Sequence, residues 1–214
     1  MSRHIYKKTS VALKISLLSC SLPLLLSSPA LSQSENFSQN CSQAQIKANI
    51  AKFRDSNKYV SQSAAHAVVK CQPESMKPLI EAPNDQSDDV RENAAKALGK
   101  IGSAEEAVPQ LIQAVPQLIQ SLKQDKNFSV RMYVALTIAA MGKSAKEAIP
   151  QLILSVQQDE NFAVRAYAAG AFIYMGESGK AAIPQLIQSL QQDPDSSVRA
   201  VAASTLRVLG VATQ

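Results

Sequence analysis

A four-part pattern returns along residues 78–210: a proline opening an apolar run, an aspartate in a polar turn, a Val-Arg pair opening a second run, and a glycine closing it. The Val-Arg pairs are Val90-Arg91, Val130-Arg131, Val164-Arg165 and Val198-Arg199, the last three 34 residues apart. The glycines Gly102, Gly142, Gly176 and Gly210 each follow their Val by 12, and the prolines are Pro78, Pro116, Pro150 and Pro184. A period of this length means stacked supersecondary units, each unable to bury its apolar side alone. The composition agrees with helix: the chain has no Trp and 7 Gly in 214 residues, with much Ala, Leu and Gln, which lose little freedom in a helix.

Each part has a physical reason. Proline suits the first helical position, where its missing N–H is not needed. The run Pro-Gln-Leu-Ile-Gln-Ser-Leu from Pro184 places apolar residues on one stripe. The turn at 193–197 stops that helix and supplies a cap for the next. The second run is rich in Ala, so neighbouring helices can approach closely. A glycine at its end suits a left-handed C-cap.

The Val-Arg-x-x-Ala-Ala core, with an aspartate six residues before the Arg, resembles the HEAT-repeat superfamily, and in particular the short HEAT-like repeats of bilin lyases, over about residues 55–210. The resemblance implies an all-α fold, a right-handed α-solenoid of antiparallel helix pairs. It also implies that Asp85, Arg91, Asp125, Arg131, Asp159, Arg165, Asp193 and Arg199 form a hydrogen-bonded ladder between stacked repeats. Near-buried charges at a fixed repeat position need partners, so a structural role is expected of them. Tetratricopeptide repeats share the period, but their Trp, Leu-Gly and Tyr landmarks are absent.

Two stretches depart from the pattern. Residues 107–113 are repeated at once as 114–120, which puts a proline inside a helix or splits it. In residues 41–72, Asp55 keeps its place but Ser61 replaces the Arg and the closing glycine is missing. The expected organisation is therefore a signal peptide over 1–32, an N-terminal segment and degenerate capping hairpin over 33–72, and four HEAT-like repeats over 73–214. Solenoids need such caps at their ends.

The signal rests on a basic start, a 12-residue apolar run over 15–26, and small residues Ala30 and Ser32 at the cleavage positions. A cut after Ala30 is an alternative. The apolar run is shorter than the ~20 residues of a spanning helix, so no membrane insertion is expected after signal removal. A lipobox reading of Leu17-Leu18-Ser19-Cys20 ranks lower, because the apolar stretch continues past Cys20. Secretion or a periplasmic location follows. In an oxidising compartment Cys41 and Cys71, at the near ends of two antiparallel helices of equal length, are expected to pair. Two free thiols are the alternative.

The formal charge is +5. Arg3, Lys7, Lys8 and Lys14 lie in the signal, and the remainder carries 18 bases against 17 acids. No basic stripe is left for nucleic acid. His66 is the one histidine after the signal, and there are no His-Glu pairs, no Cys/His cluster and no Gly-rich phosphate loop. No metal, cofactor or catalytic residue is expected. Three Asn-x-Ser triplets match a glycosylation acceptor, a weak signal.

In HEAT-like solenoids the second helices line the concave side. There Met132, Leu136 and Gly170, with Tyr133, Tyr167 and Tyr174, make the middle of the face apolar and aromatic, the composition of an interaction patch. Tyr133 and Tyr167 could instead pack between repeats. The resulting expectation is a non-catalytic extracytoplasmic scaffold that binds a protein or peptide through this face. The alternative implied by the resemblance is a bilin lyase or lyase-like chaperone of phycobiliproteins, which an export signal argues against. Helix 198–209 shows Val201, Thr205 and Val208 on one side, and a partner or a second copy, tail to tail, is expected to cover it.

Overall fold

The computed structural model describes residues 41–212 except Ser103, with only the backbone of Glu105. The chain divides into residues 1–38 and 39–214, and the described helices all belong to the second part. The expected signal lies outside the described residues. Among them the regular structure is entirely helical: α1 Gln43–Ala51, α2 Lys58–Val69, α3 Met76–Glu81, α4 Asp88–Ile101, α5 Val108–Ile112, α6 Val115–Gln124, α7 Phe128–Met141, α8 Ile149–Gln158, α9 Phe162–Ala171, α10 Ile183–Gln192 and α11 Ser196–Val208. They pair as antiparallel hairpins and stack into an α-solenoid, with α2, α4, α7, α9 and α11 forming the layer of second helices. None of these helices is long and apolar enough to cross a membrane.

The first helices begin as the prolines dictate. Pro116, Pro150 and Pro184 each stand second in their helix, where no intrahelical partner is owed to the missing N–H. The duplicated stretch resolves as two helices. Pro116 forbids continuation from α5, since it lacks the N–H and its ring meets the carbonyl four residues back. The chain turns at Gln113 and Ala114 and restarts as α6. Leu111 and Leu118, equivalent in the two copies, are both buried, so the extra turns add core rather than a surface loop.

Each first helix ends where an aspartate goes extended, at Asp125, Asp159 and Asp193. Two residues later Asn57, Asn127, Asn161 or Asp195 caps the next helix by accepting a backbone N–H. Ser87 makes no such bond, and α4 instead carries Asp88 and Asp89 in its first turn, where negative charge favours the helix dipole.

Small residues let the second helices pack closely. Ala94, Ala95, Ala97, Ala135, Ala139, Ala168, Ala169, Ala171 and Ala202 are all buried. Thr137 donates from Oγ1 to the Ala95 carbonyl at 3.0 Å, and Thr205 to the Ala169 carbonyl at 3.2 Å.

The closing glycines differ from expectation. Gly142, Gly176 and Gly210 have positive φ, but Gly102 is right-handed, at φ −59°. Its small size serves contact instead: a Cβ there would stand 3.1 Å from that of Ala140 on α7. At Gly142 both demands coincide, since a Cβ would meet the Tyr174 carbonyl oxygen at 2.8 Å.

Candidate functional site

The charges at fixed repeat positions form rungs that cross from one repeat to the next. Arg91 donates from Nε and Nη2 to the two oxygens of Asp125, at 2.6 and 2.9 Å. Arg131 does the same to Asp159, at 2.7 and 2.8 Å, and Arg165 to Asp193, at 2.8 and 2.9 Å. The third nitrogen, Nη1, donates to the carbonyl six residues back, from Arg91 to Asp85, Arg131 to Asp125 and Arg165 to Asp159, and Arg199 does the same to Asp193. The aspartate six residues before each Arg is thus its main-chain partner, while its carboxylate belongs to the preceding repeat. Each carboxylate also accepts the N–H two residues on, from Ser87, Asn127, Asn161 and Asp195. The three rungs are nearly enclosed. Hydrogen bonding to their aspartates, against the cost of burial, raises the pKa of Arg91, Arg131 and Arg165. Burial opposes the charge of Asp193, but the Arg165 bonds and the Asp195 N–H outweigh it and hold that carboxyl below its ordinary range. Neutralised and enclosed, the ladder is structural.

The ladder is incomplete at both ends. Ser61, in the place of an arginine, is buried and bonds the Lys58 carbonyl. The carboxylate of Asp85, which would have received that arginine, has as its cation among the described residues the exposed Arg54 at 3.6 Å. Arg199 keeps its bonds to the carbonyls of Asp193 and Pro194, and its Nε and Nη2 find no carboxylate among the described residues.

Cys41 and Cys71 are joined by a disulfide that staples the near ends of the first hairpin. His66 is exposed, beside Tyr59, Gln62, Ser63 and Lys70 on the outside of the same hairpin.

The second-helix face divides the expected binding residues into two groups. Leu136, Tyr167 and Tyr174 are exposed, at 39%, 44% and 62%. Met132 and Tyr133 are half-buried and pack against the core. The Tyr133 ring is covered by the Lys96 ammonium, 4.5 Å from its centroid, and Lys96 is itself paired with Glu92 at 2.6 Å. Gly170 leaves room for Val201 of the next repeat: a Cβ there would sit 3.6 Å from its methyl. Leu136 on α7, Tyr167 on α9 and Tyr174 in the 3-10 segment that follows α9 are therefore the exposed apolar and aromatic members, while Met132, Tyr133 and Gly170 are partly buried. Two further exposed aromatics, Phe128 and Phe162, open α7 and α9. Their spacing of 34 is visible in the sequence; what conceals them is their place beside a helix cap, where a polar residue is the usual occupant. Among the described residues no group of three or more His, Cys, Asp or Glu is placed to hold a metal ion.

The apolar side of α11 is not an open face. Thr205 is fully buried against α9, and Val201 packs at Gly170. Only Val208 of the three is exposed. The spacing argument found the right stripe, but the stripe turns back toward the preceding repeat.

HEAT repeats match residues 46–115 and 115–207. No curated protein matches the sequence. Among solved structures, a chain of the complex of CpcE and CpcF of phycocyanin lyase from Nostoc sp. PCC7120 is similar with a TM-score of 0.66 at 20% identity, covering 77% of this chain and 99% of that one. A mutant of Kap121p is similar with a TM-score of 0.59 at 17% identity, covering 78% of this chain and 19% of that one. An engineered protein is similar with a TM-score of 0.55 at 19% identity, covering 77% and 78%. At these identities the likeness is one of fold; the repeat matches, which span most of the chain, show the family: the chain belongs to the HEAT repeats.

Proposed function

We propose that the protein is a non-catalytic scaffold, exported from the cytoplasm, that binds a protein or peptide through its second-helix face. The observation that carries this reading is the exposure of Leu136, Tyr167 and Tyr174. A solvated helix face is polar, and exposed apolar and aromatic side chains recurring on it favour a partner that shields them. The charged groups of the ladder are neutralised by one another, which supports a binding role over chemistry at that place.

The test is affinity capture from the native envelope or secretome, with wild type beside Leu136→Lys/Tyr174→Glu. The reading expects a partner retained by wild type and lost by the variant, at unchanged helicity. Export is tested separately by the intact mass of the native protein, which should begin near Gln33. Retention of residues 1–32 would refute export.

A second reading is favoured by one observation, the likeness to a chain of a phycocyanin lyase complex along 99% of that chain. It makes the protein a lyase-like chaperone of a bilin-bearing protein. Its test is whether the purified protein changes the absorbance of a bilin mixed with an apo-phycobiliprotein; no change would remove it.

A further inference from the structure

We propose that copies of this chain stack head to tail, with Arg199 of one copy closing a ladder rung on Asp55 of the next. The two ends carry the two halves of a rung. At the C-terminal end the guanidinium of Arg199 is anchored through Nη1 to the carbonyls of Asp193 and Pro194, at 2.7 and 3.0 Å. Arg91, Arg131 and Arg165 are anchored in the same way, and each then offers Nε and Nη2 to a carboxylate of the following repeat. In Arg199 that edge is open. At the N-terminal end, Asp55 holds the N–H of Asn57 at 2.8 Å, the same turn made by Asp85, Asp125, Asp159 and Asp193. Its carboxylate is exposed and has no cation among the described residues.

The surfaces around these charges match as the internal junctions do. Inside the stack, the residue three places after Val90, Val130 and Val198 meets the preceding repeat: Asn93 bonds the Phe53 carbonyl, Tyr133 lies under Lys96, and Val201 packs at Gly170. The residue seven places after Val does likewise at Thr137 and Thr205, which meet the carbonyls of Ala95 and Ala169. On α2 these positions are Ser63, exposed, and Ala67, half-buried, both small, and they line a recess with Asn49, Lys52 and Tyr59. On α11 the counterpart of Ala95 and Ala169 is Ala203, and its neighbour is Ser204. A face of small residues at one end thus meets a face of small residues at the other, without the threonine hydroxyl of the internal junctions. Tail-to-tail contact would instead set two Arg199 side chains against each other. A contact between two different patches does not close on itself, and it produces open chains rather than dimers alone.

Sedimentation velocity of the full chain over a rising concentration series tests this, with circular dichroism melts as a check on folding. Wild type should grow beyond a dimer as concentration rises. Arg199→Glu and Asp55→Arg should each remain monomeric, with affinity lowered by more than about tenfold, the least that mispairing a close charge costs. Asp55→Asn keeps the acceptor for the Asn57 N–H and should also weaken association, which separates charge from turn stability. Mixing Arg199→Glu with Asp55→Arg should restore growth, because every junction between unlike copies again pairs opposite charges. A monomeric wild type at high concentration would overturn the proposal. So would a plain dimer unaffected by Asp55→Arg, which would mark tail-to-tail contact.

Discussion

A ladder arginine divides its bonds between two repeats, and that division decides what its loss would do. Arg131 is buried, bidentate to Asp159 and fixed to the carbonyls of Asp125 and Lys126. Removing it strands the Asp159 carboxylate in an enclosed site, and removing one partner of a buried pair costs about 3–5 kcal/mol. Arg131→Ala and Asp159→Ala should each lower stability in urea melts, and the double variant should cost well under their sum. The direction of pairing was hidden in the sequence. An aspartate six residues before an arginine reads as one unit, yet its carboxylate turns to the arginine of the preceding repeat. Only stacking brings those two together. The depressed pKa of Asp193 sets a pH dependence. Its contribution is complete above the ordinary carboxylate value of about 4 and is lost as pH falls through its lower folded value. Wild type should therefore lose melting temperature more steeply below about pH 4 than Asp193→Asn does.

At the scale of the element, helix starts and stops were legible because each is governed by a local rule: proline near the start, aspartate at the stop, Asn or Asp at the cap. What was not legible depends on distant packing. Gly102 and Gly142 look alike in sequence, yet one is small to admit Ala140 and the other must adopt positive φ under the Tyr174 carbonyl. Gly142→Ala should therefore cost more than Gly102→Ala, by at least about 1 kcal/mol, since an L-residue pays that penalty in the left-handed half of the map. Thermal melts of the two variants check the order. Leu136, Tyr167 and Tyr174 are exposed, whereas Met132 and Tyr133 are half-buried against the core. Helical periodicity alone does not reveal that Lys96, one repeat earlier, lies over the Tyr133 ring. Leu136→Lys is accordingly the cleaner probe of binding, while Met132→Glu should also lower the melting temperature through lost packing.

In the whole molecule each repeat leans on its neighbours only, so stability is a sum of repeats and junctions. The first hairpin is different, because the Cys41–Cys71 bond ties its ends across 30 residues. In the chain-entropy account closing such a loop stabilises by about 3–4 kcal/mol, and reduction should lower the melting temperature with little change in helicity below the transition. That same bond gives the rod a direction in time. A stack of like units frays from whichever end loses its last unit most cheaply, and one end here is sewn shut. Amide exchange should therefore rise first in α11, spread inward through α9, and reach α2 last. Reduced protein should fray from both ends, and the contrast between the two exchange maps would measure how far a single covalent stitch can set the order in which a modular structure comes apart.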